Sequence, residues 1–397
     1  MPDAIVVGCG VIGASISYFL AKSGVKVIAI DRNDTASGTS SACDGNVLLT
    51  DKQPGFDSQM TYESQKLYDL LENELGHDFD YRRLGSTLAV EDEEQEIVAR
   101  EWVRTQQAAG IPMRYLEGRA VHEDEPRLAR DIIGLVECDS DSSLDPMAVV
   151  FGFVLGAQRN GAVIKRFTAV DSILRGPDGR VEGVLTGDGP VYAPHVVLAT
   201  GVWTPQLAAT AGVSIPVVPR KGHILVAEPT FPVGRRKMME FGYLMTKFGG
   251  GGRRGVEPDM DKYGIAMVFE PTPHGNFLIG SSREFVGFDT RCNPQVLQLM
   301  ARRAIRFFPC IRDINVVRSY AGLRPYMPDH LPIVSPVATV PGLYIACGHE
   351  GDGIGLAPIT GQLIAQMITG APTTVPVAPL SIERLAADAV HGHQSTH

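Results

Sequence analysis

The beginning of the chain constrains the fold more than any other segment, because a glycine pattern there lies between two apolar runs. Residues 4–8 are apolar and rich in β-branched side chains, which is typical of a buried parallel strand. The pattern Gly8-Cys-Gly10-Val-Ile-Gly13 follows, then a stretch of helical character, and then a second apolar run that ends at Asp31. A strand, a glycine turn, a helix and a second strand in this order predict a Rossmann-like nucleotide-binding unit.

Each part of this unit has a role in holding a dinucleotide. Gly8 permits a tight turn, Gly10 lets the backbone approach a pyrophosphate, and Gly13 allows the helix to pack closely on the strand. The helix N-terminus presents free N–H groups and a positive dipole end to the anion. Asp31 would accept hydrogen bonds from the adenosine ribose hydroxyls. The candidate cofactor-binding residues of this unit are Gly8, Gly10, Val11, Ile12, Gly13, Asp31 and Arg32.

The segments that follow favour FAD over NAD. A chain built around one NAD usually repeats βαβ units, whereas residues 37–46 are a run of small hydrogen-bond donors that can wrap a second phosphate and an isoalloxazine edge. The apolar strand of residues 191–199 runs into a glycine turn, where the backbone can pass close to a nucleotide. These segments add the candidates Ser40, Ser41, Gly45, Asn46, Thr200, Gly201 and Trp203, and Val170 is a further cofactor candidate outside them. An NAD-binding protein stays open as an alternative.

Composition excludes several function classes. The 397 residues are 44% hydrophobic and 20% charged, which predicts a large core, and the net charge of −9 argues against a nucleic-acid-binding protein. The six cysteines share no CxxC spacing, so we expect free thiols, no metal site and a cytoplasmic protein. The apolar stretch of residues 4–20 lacks a basic start and contains glycines, so we interpret it as a buried strand and helix. We expect no transmembrane segment.

The order of predicted elements indicates discontinuous domains. α/β segments at both ends of the chain enclose a strand-rich middle, which predicts an α/β (α+β) fold: a Rossmann-like FAD-binding domain intertwined with a substrate domain built on a mixed antiparallel sheet. We assign residues 1–85, 141–217 and 325–372 to the FAD-binding domain, 86–140 and 218–324 to the substrate domain, and 373–397 to a tail.

With these features in place, the chain resembles the FAD-dependent D-amino-acid oxidase, glycine oxidase and sarcosine oxidase superfamily. The resemblance runs from the N-terminal glycine pattern to the C-terminal segment Gly348-His-Glu-Gly-Asp-Gly-Ile-Gly355. This segment is similar to the second flavin-contacting segment of the family, whose glycines bring N–H groups and a helix N-terminus towards the flavin pyrimidine. The resemblance adds the cofactor candidates Gly348, Glu350, Gly351, Asp352, Gly353 and Ile354.

Within the superfamily, three stretches are most similar to one subgroup: residues 38–46, residues 275–283, and Gly322-Leu-Arg-Pro325 with Pro328-Asp329. The subgroup contains the β subunits of opine oxidases, D-hydroxyproline or proline dehydrogenases and hydrogen cyanide synthase. There the β subunit binds FAD and oxidises the substrate, an α subunit carries a [2Fe–2S] cluster, and FMN can lie between subunits. The cysteine spacing of this chain cannot hold such a cluster, so the resemblance places it in a partner. No cysteine lies near Gly322, where the flavin-linking cysteine of monomeric sarcosine oxidase would fall, so we expect non-covalent FAD.

The resemblance implies that Arg324 is the main catalytic candidate, because the Gly-Leu-Arg-Pro motif places this arginine above the flavin to bind the substrate carboxylate. A guanidinium group matches a carboxylate bidentately. Tyr243, Tyr326 and His349 are further candidates that could hydrogen-bond the amine or the carboxylate, although such side chains often serve only packing. Glu350 and Asp352 would face a cationic substrate, a partner or solvent.

The reaction implied by the resemblance is the oxidation of a secondary or D-amino acid, with hydride transfer from the α-carbon to flavin N5. The chain would act as the catalytic subunit of a hetero-oligomer. A stand-alone D-amino-acid or glycine oxidase that produces H2O2, and a flavin-holding structural subunit, are the alternatives. Opine, hydroxyproline, proline and glycine substrates are not distinguished by the sequence. The loop Lys247-Phe-Gly-Gly-Gly-Gly-Arg-Arg-Gly255 could hold a phosphate such as that of FMN, bind an acidic partner, or be a solvated loop.

Overall fold

The computed structural model describes residues 1–248 and 255–385, and these fold into mixed α/β elements. The helices are α1 (Val11–Lys22), α2 (Phe56–Leu75), α3 (Glu93–Ala108), α4 (Arg119–Asp124), α5 (Pro146–Arg159), α6 (Thr204–Ala209), α7 (Phe241–Lys247), α8 (Pro258–Lys262), α9 (Pro294–Phe307) and α10 (Gly353–Thr369). The strands are β1 (Ala4–Val7), β2 (Val27–Ile30), β3 (Asn46–Val47), β4 (Ser86–Val90), β5 (Met113–Glu117), β6 (Gly134–Cys138), β7 (Ser142–Ser143), β8 (Val163–Lys165), β9 (Val170–Arg175), β10 (Val181–Thr186), β11 (Gly189–Tyr192), β12 (His195–Leu198), β13 (Val218–Ala227), β14 (Lys237–Glu240), β15 (Val268–Pro271), β16 (Phe277–Gly280), β17 (Val316–Tyr326), β18 (Ile333–Pro336) and β19 (Leu343–Cys347).

A six-stranded sheet in the order β18-β19-β12-β1-β2-β8 carries the N-terminal glycine turn. Its strands are parallel except β18, which pairs antiparallel with β19. The central strand β1 is buried on both faces: Val6 packs among α1, α5 and α10, whereas Ile5 and Val7 pack with the meander β9–β11 and α6. Burial on both faces explains the continuous apolar run of this strand.

An eight-stranded sheet in the order β17-β13-β16-β15-β14-β4-β6-β5 forms the second layer of the molecule. Its pairs are antiparallel except β14 with β4, so the predicted mixed antiparallel sheet is confirmed. The longest pairing joins β13 to β17 and places Arg220 opposite Arg324. Helix α9 packs on this sheet, and its Arg303 forms a buried ion pair with Glu240 of β14 at 2.5 Å.

The two large sheets meet through segments that cross from one to the other. Strand β17 ends at Tyr326, and the chain then enters β18 of the six-stranded sheet within seven residues. The α/β (α+β) class with a Rossmann-like sheet agrees with the sequence prediction. The domain limits stay a prediction, because hydrogen-bonded sheets do not by themselves define independently folding units.

Some predicted segments extend beyond the described residues. In the Gly/Arg loop, residues 249–254 lie outside them, and so does the tail from residue 386 onward. Among residues 1–248 and 255–385, no helix is long and apolar enough to cross a membrane. The same residues contain no group of three or more His, Cys, Asp or Glu side chains placed to hold a metal ion.

Candidate active site: a cofactor cavity and a charged pocket

A cavity of about 550 Å³ lies at the carboxyl ends of β1, β2, β12 and β19. This edge of a parallel sheet is where α/β proteins bind nucleotides. Two helices of more than eight residues begin at the cavity wall, α1 after Gly10 and α10 at Gly353. Neither N-cap residue bonds the first turn through its side chain, although the Val11 amide of α1 donates to Ser40. Their free N–H groups and dipole ends therefore form two places where the cavity favours negative charge.

Three glycines keep the first of these helix ends open. A Cβ on Gly13 would lie 1.9 Å from the carbonyl oxygen of Gly8, and a Cβ on Gly8 would lie 2.5 Å from that of Ala199. Gly8 also has a φ of +101°, which L-residues rarely adopt. A Cβ on Gly10 would approach Ser40 Oγ to 3.2 Å, and that hydroxyl accepts a hydrogen bond from the Val11 amide at 3.0 Å. A side chain at any of these three positions would therefore crowd the backbone or Ser40 at the turn.

The far end of the cavity contains the predicted ribose acceptor. Asp31 follows β2, and its carboxylate oxygens accept hydrogen bonds from the amides of Cys9 at 2.7 Å and Asn33 at 2.9 Å. Nearby, the Arg32 guanidinium lies 4.1 Å from the Trp203 ring centroid, and the Phe288 ring stacks at 6.0 Å on the same indole. Asp31 and this aromatic stack form a polar and a flat wall at one end of the cavity.

The structure brings most of the predicted cofactor and catalytic residues to this cavity. It is lined by Gly8, Gly10, Val11, Ile12, Asp31, Arg32, Ser40, Val170, Thr200, Gly201, Trp203, Arg324, His349, Glu350, Gly351, Gly353 and Ile354. Asn46, Tyr243 and Asp352 instead line a second, smaller pocket that shares Asp44, Arg324, Glu350 and Gly351 with the first. The two spaces therefore adjoin at Arg324.

Five predicted residues line neither space, and each has a structural contact instead. Gly13 packs on the Gly8 carbonyl, a Cβ on Gly45 would meet the Leu144 carbonyl at 1.7 Å, and one on Gly348 would meet the Met327 side chain at 2.5 Å. Ser41 is exposed and its hydroxyl donates to the Gly38 carbonyl at 3.0 Å. Tyr326 packs its ring under the Arg220 guanidinium at 4.6 Å.

Half of the residues that line the smaller pocket are charged. Its cations are Lys52, Arg220, Lys237, Lys247, Arg283 and Arg324, and its carboxylates are Asp44, Asp51, Glu350 and Asp352. Ion pairs join Lys52 to Asp352 at 2.7 Å and Arg220 to Glu350 at 2.9 Å. The sequence analysis did not single out Asp44, Lys52, Lys237 or Arg283. These residues come from distant segments, and no spacing in the sequence relates them to one another.

Arg324 occupies the junction of the two spaces. One guanidinium nitrogen donates to the Ser282 carbonyl at 3.0 Å, and no carboxylate among residues 1–248 and 255–385 lies within 4 Å of the guanidinium. Burial and the nearby charge of Arg220 lower its pKa, although Asp44 opposes this. A buried cation without a close counter-ion is costly, and a bound carboxylate would compensate it.

Two buried histidines near the site are neutral at physiological pH. Burial lowers the pKa of His349 to about 4, and its Nε2 lies 3.0 Å from Thr360 Oγ. His223 joins both ends of the segment 282–293: its Nδ1 bonds Ser282 Oγ at 2.7 Å, and its Nε2 accepts from the Asn293 amide at 3.1 Å. Because Nε2 accepts, the ring proton is on Nδ1. This segment carries Phe288 to the cavity.

We expect His223→Gln to change the pH dependence of stability. Burial and the charges of Lys221 and Arg324 lower the pKa of His223 to about 4, below the value near 6.5 of an unfolded chain. Between these values the unfolded state binds more protons, so the stabilisation is present above pH 6.5 and is lost as the pH falls towards 4. Relative to the variant, the wild type should lose about 2–3 kcal/mol between pH 7.5 and 4.5.

Equilibrium urea unfolding at several pH values measures this difference. His274 is exposed, so His274→Gln is the matched control. Its free energy of unfolding should change with pH in the same way as that of the wild type. A constant difference between wild type and His223→Gln over the whole pH range would show that His223 is protonated equally in both states.

The residues of the large cavity fit FAD by three observations of this structure. The glycine turn leaves backbone N–H groups at the wall, a second helix N-terminus lies at the other end, and the Asp31 carboxylate is placed after β2 to meet a ribose. The model of the family "DAO: FAD dependent oxidoreductase" matches residues 3–367. The chain belongs to this family. It is therefore an FAD-dependent oxidoreductase, which confirms the predicted enzyme class, and the alternative of an NAD-binding protein is dropped.

Relatives of this FAD-dependent oxidoreductase match it over most of its length. It is 28% identical to hydrogen cyanide synthase subunit HcnC of Pseudomonas protegens, over 97% of this chain and 84% of that protein. It is 29% identical to the bifunctional protein ThiO/ThiG of Nostoc sp. over 92% of this chain, but it spans only 52% of that protein. The crystal structure of glycine oxidase from Geobacillus kaustophilus superposes with a TM-score of 0.84 at 26% identity, covering 96% of this chain and 98% of that one.

Proposed function

We propose that the chain oxidises the Cα–N bond of a secondary or D-configured amino acid as the catalytic subunit of a hetero-oligomer. The single observation that carries the reaction is the position of Arg324, a half-buried guanidinium without a close carboxylate at the junction of the cofactor cavity and the charged pocket. A substrate carboxylate bound there would lie beside the cofactor. The similarity to relatives named glycine oxidase and hydrogen cyanide synthase subunit supports an amino-acid substrate.

The chain's own residues would align the substrate and manage its proton. Bound FAD, non-covalent in this proposal, would supply the two-electron acceptor for the hydride of the substrate α-carbon. Arg324 would hold the carboxylate bidentately and so fix the α-carbon. The oxidation requires an amine with a free lone pair, so the ammonium proton must leave first. Asp44, which lines both spaces, would accept that proton on a carboxylate oxygen.

The electrostatics of Asp44 suit this role. Burial alone would raise the pKa of Asp44. Lys237 at 3.5 Å, the Asn46 side chain and Arg324 outweigh this and lower the pKa below its usual value, so the carboxylate is ionised before substrate binds. A second carboxylate, Glu270, lies 4.0 Å from the same ammonium group. Burial raises the pKa of Glu270 to about 7. Asp44, Lys237 and Glu270 thus form a row of neighbouring groups that would share one proton.

The partner part of the proposal concerns electron transfer after the substrate is oxidised. We propose an α subunit that carries a [2Fe–2S] cluster, with FMN at the subunit interface. The name of the relative HcnC as a synthase subunit supports an assembly. The six cysteines of this chain are free and dispersed, which agrees with a cluster held elsewhere.

An anaerobic titration tests the proposed function. The purified chain, co-expressed with its genomic neighbours, is mixed with octopine, nopaline, D- and L-proline, cis- and trans-hydroxyproline, glycine and sarcosine while the flavin absorbance is recorded. Bleaching by one amino acid is expected, and its absence with every compound in a yellow, folded preparation would contradict amine oxidation. Rapid H2O2 production by the isolated chain in air would favour the stand-alone oxidase, and co-purification of an iron-containing partner would favour the hetero-oligomer.

A further inference from the structure

We propose that the substrate carries a second carboxylate, and that this group binds beside Tyr243 and Lys247 while the first binds to Arg324. The inference rests on the proposed amino-acid oxidation and narrows its substrate class to amino or imino acids with two carboxylates. It starts from the charged pocket next to the cofactor cavity, where two lining cations, Lys247 and Arg324, have no carboxylate of the described residues within 4 Å.

Helix α7 supplies the second binding position. Tyr243 and Lys247 are one helical turn apart and both line the pocket, so their hydroxyl and ammonium groups belong to one wall. The Arg283 guanidinium stacks on the Tyr243 ring at 3.7 Å from its centroid and donates to the Gly264 carbonyl at 2.9 Å. A planar cation on one ring face and a donor hydroxyl at its edge are groups that bind a carboxylate.

The charged side chains of the pocket differ in how closely they are paired. Six cationic and four carboxylate side chains line it, and Glu270 lies beside it, 4.0 Å from Lys237 Nζ. Close ion pairs use Lys52, Arg220 and Lys237. No carboxylate of the described residues lies within 4 Å of Lys247 Nζ or of the Arg324 guanidinium. These two cations lie on different elements, α7 and β17, and the proposal gives each of them a carboxylate of the substrate.

The acidity of Tyr243 supports a positive potential on this wall. Burial alone would raise the pKa of its hydroxyl, but Arg283, Lys247, Arg220 and Arg324 together lower it below the usual value. The hydroxyl therefore lies where several cations act at once. Burial alone would lower the pKa of Lys247, but the nearby charge of Asp352 helps to raise it above its usual value. The ammonium group is therefore charged at neutral pH. A charged ammonium and an acidic hydroxyl are strong donors to an anion.

Matched substrate pairs test the inference in the FAD-loaded enzyme. Iminodiacetate and sarcosine differ only in that one N-substituent is carboxymethyl or methyl, and N-(1-carboxyethyl)alanine and N-ethylalanine form a second such pair. In anaerobic flavin reduction, we expect the dicarboxylate of each pair to have a kcat/KM about 10- to 100-fold higher, because it gains a charge-assisted contact. Equal values, or a preference for the monocarboxylates, would overturn the inference and leave amine oxidation intact.

A substitution of Lys247 tests whether this residue binds the second carboxylate. Lys247→Met should reduce kcat/KM for iminodiacetate at least 10-fold more than for sarcosine, and mainly through KM. Lys262→Met, an exposed lysine on α8, is the matched control and should change neither value. If Lys247→Met lowers kcat/KM for iminodiacetate and for sarcosine by the same factor, the lysine does not bind the second carboxylate.

Ligand binding without turnover separates this inference from the proposed reaction. Diglycolate and methoxyacetate have the shapes of iminodiacetate and sarcosine but an ether oxygen in place of the amine. Perturbation of the flavin absorption spectrum measures their Kd values. At least 10-fold tighter binding of diglycolate, lost in Lys247→Met, supports the dicarboxylate pocket even if no amine reduces the flavin. Equal affinities would overturn it even if amines do.

Discussion

Arg324→Ala is expected to lower kcat/KM for flavin reduction by about 10²–10⁴-fold while FAD stays bound. The guanidinium lies at the junction of the cofactor cavity and the charged pocket, and its loss removes two charge-assisted hydrogen bonds to the substrate carboxylate, each worth about 1.5–3 kcal/mol. Stopped-flow anaerobic reduction gives the rate, and the absorbance ratio of flavin to protein gives the FAD content. Arg324→Lys should recover only part of the activity, because an ammonium group cannot form the planar two-point contact.

The matched control for this variant lies on the same strand. Arg318 is six residues earlier on β17 and is exposed, so Arg318→Ala should retain normal rates. Loss of FAD together with activity in Arg324→Ala would show that Arg324 holds the cofactor rather than the substrate. Unchanged flavin reduction would show that the substrate carboxylate binds away from Arg324.

Gly13→Val should give a protein that purifies without FAD. A side chain at residue 13 would start with a Cβ 1.9 Å from the Gly8 carbonyl, which is backbone and cannot turn aside. Helix α1 must then move off β1, and its N-terminus leaves the cavity wall. We expect the FAD-to-protein ratio to fall more than 10-fold. The unfolding midpoint should fall as well, since overpacking of this kind costs about 1–3 kcal/mol.

Gly187→Val is the control that separates this clash from a general effect of replacing glycine. Nothing lies within 4 Å of a Cβ at residue 187, and its φ is not in the left-handed region. This variant should keep its FAD and lose little stability. Full FAD content in Gly13→Val would mean that the helix end can shift without loss of the cofactor, and the role given to the third glycine would be wrong.

The cofactor end of the site was predictable because its determinants are local in sequence. Gly8, Gly10 and Gly13 act on a single turn, and Asp31 follows at the end of the next strand, so spacing alone relates their positions. The segment around Gly353 was found by resemblance, since a glycine-rich helix start carries little information by itself. In both cases the structure places these residues at the cavity or, for Gly13, directly behind its wall.

The charged pocket was not predictable in the same way. Lys52 follows a short strand, Lys237 begins β14, and Arg283 lies in a loop after β16. From its own segment alone, each of them would be predicted to lie on the surface. Their burial together depends on how the two large sheets meet. Glu350 shows the same limit, because the sequence left it facing substrate, partner or solvent, whereas the fold buries it against Arg220.

The order of strands in the six-stranded sheet has a consequence for biosynthesis. Strand β1 is synthesised first but pairs with β12, some 190 residues later. The other edge of β12 is paired only after β19 has been synthesised. The second helix end at the cavity, Gly353, is made last. A nascent chain still attached to the ribosome therefore has the glycine turn but not the cavity, and FAD is captured only after nearly the whole chain has been released. Interruption of translation before residue 353 leaves the sheet without helix α10, which packs on one of its faces, and exposes apolar surface to proteases and chaperones.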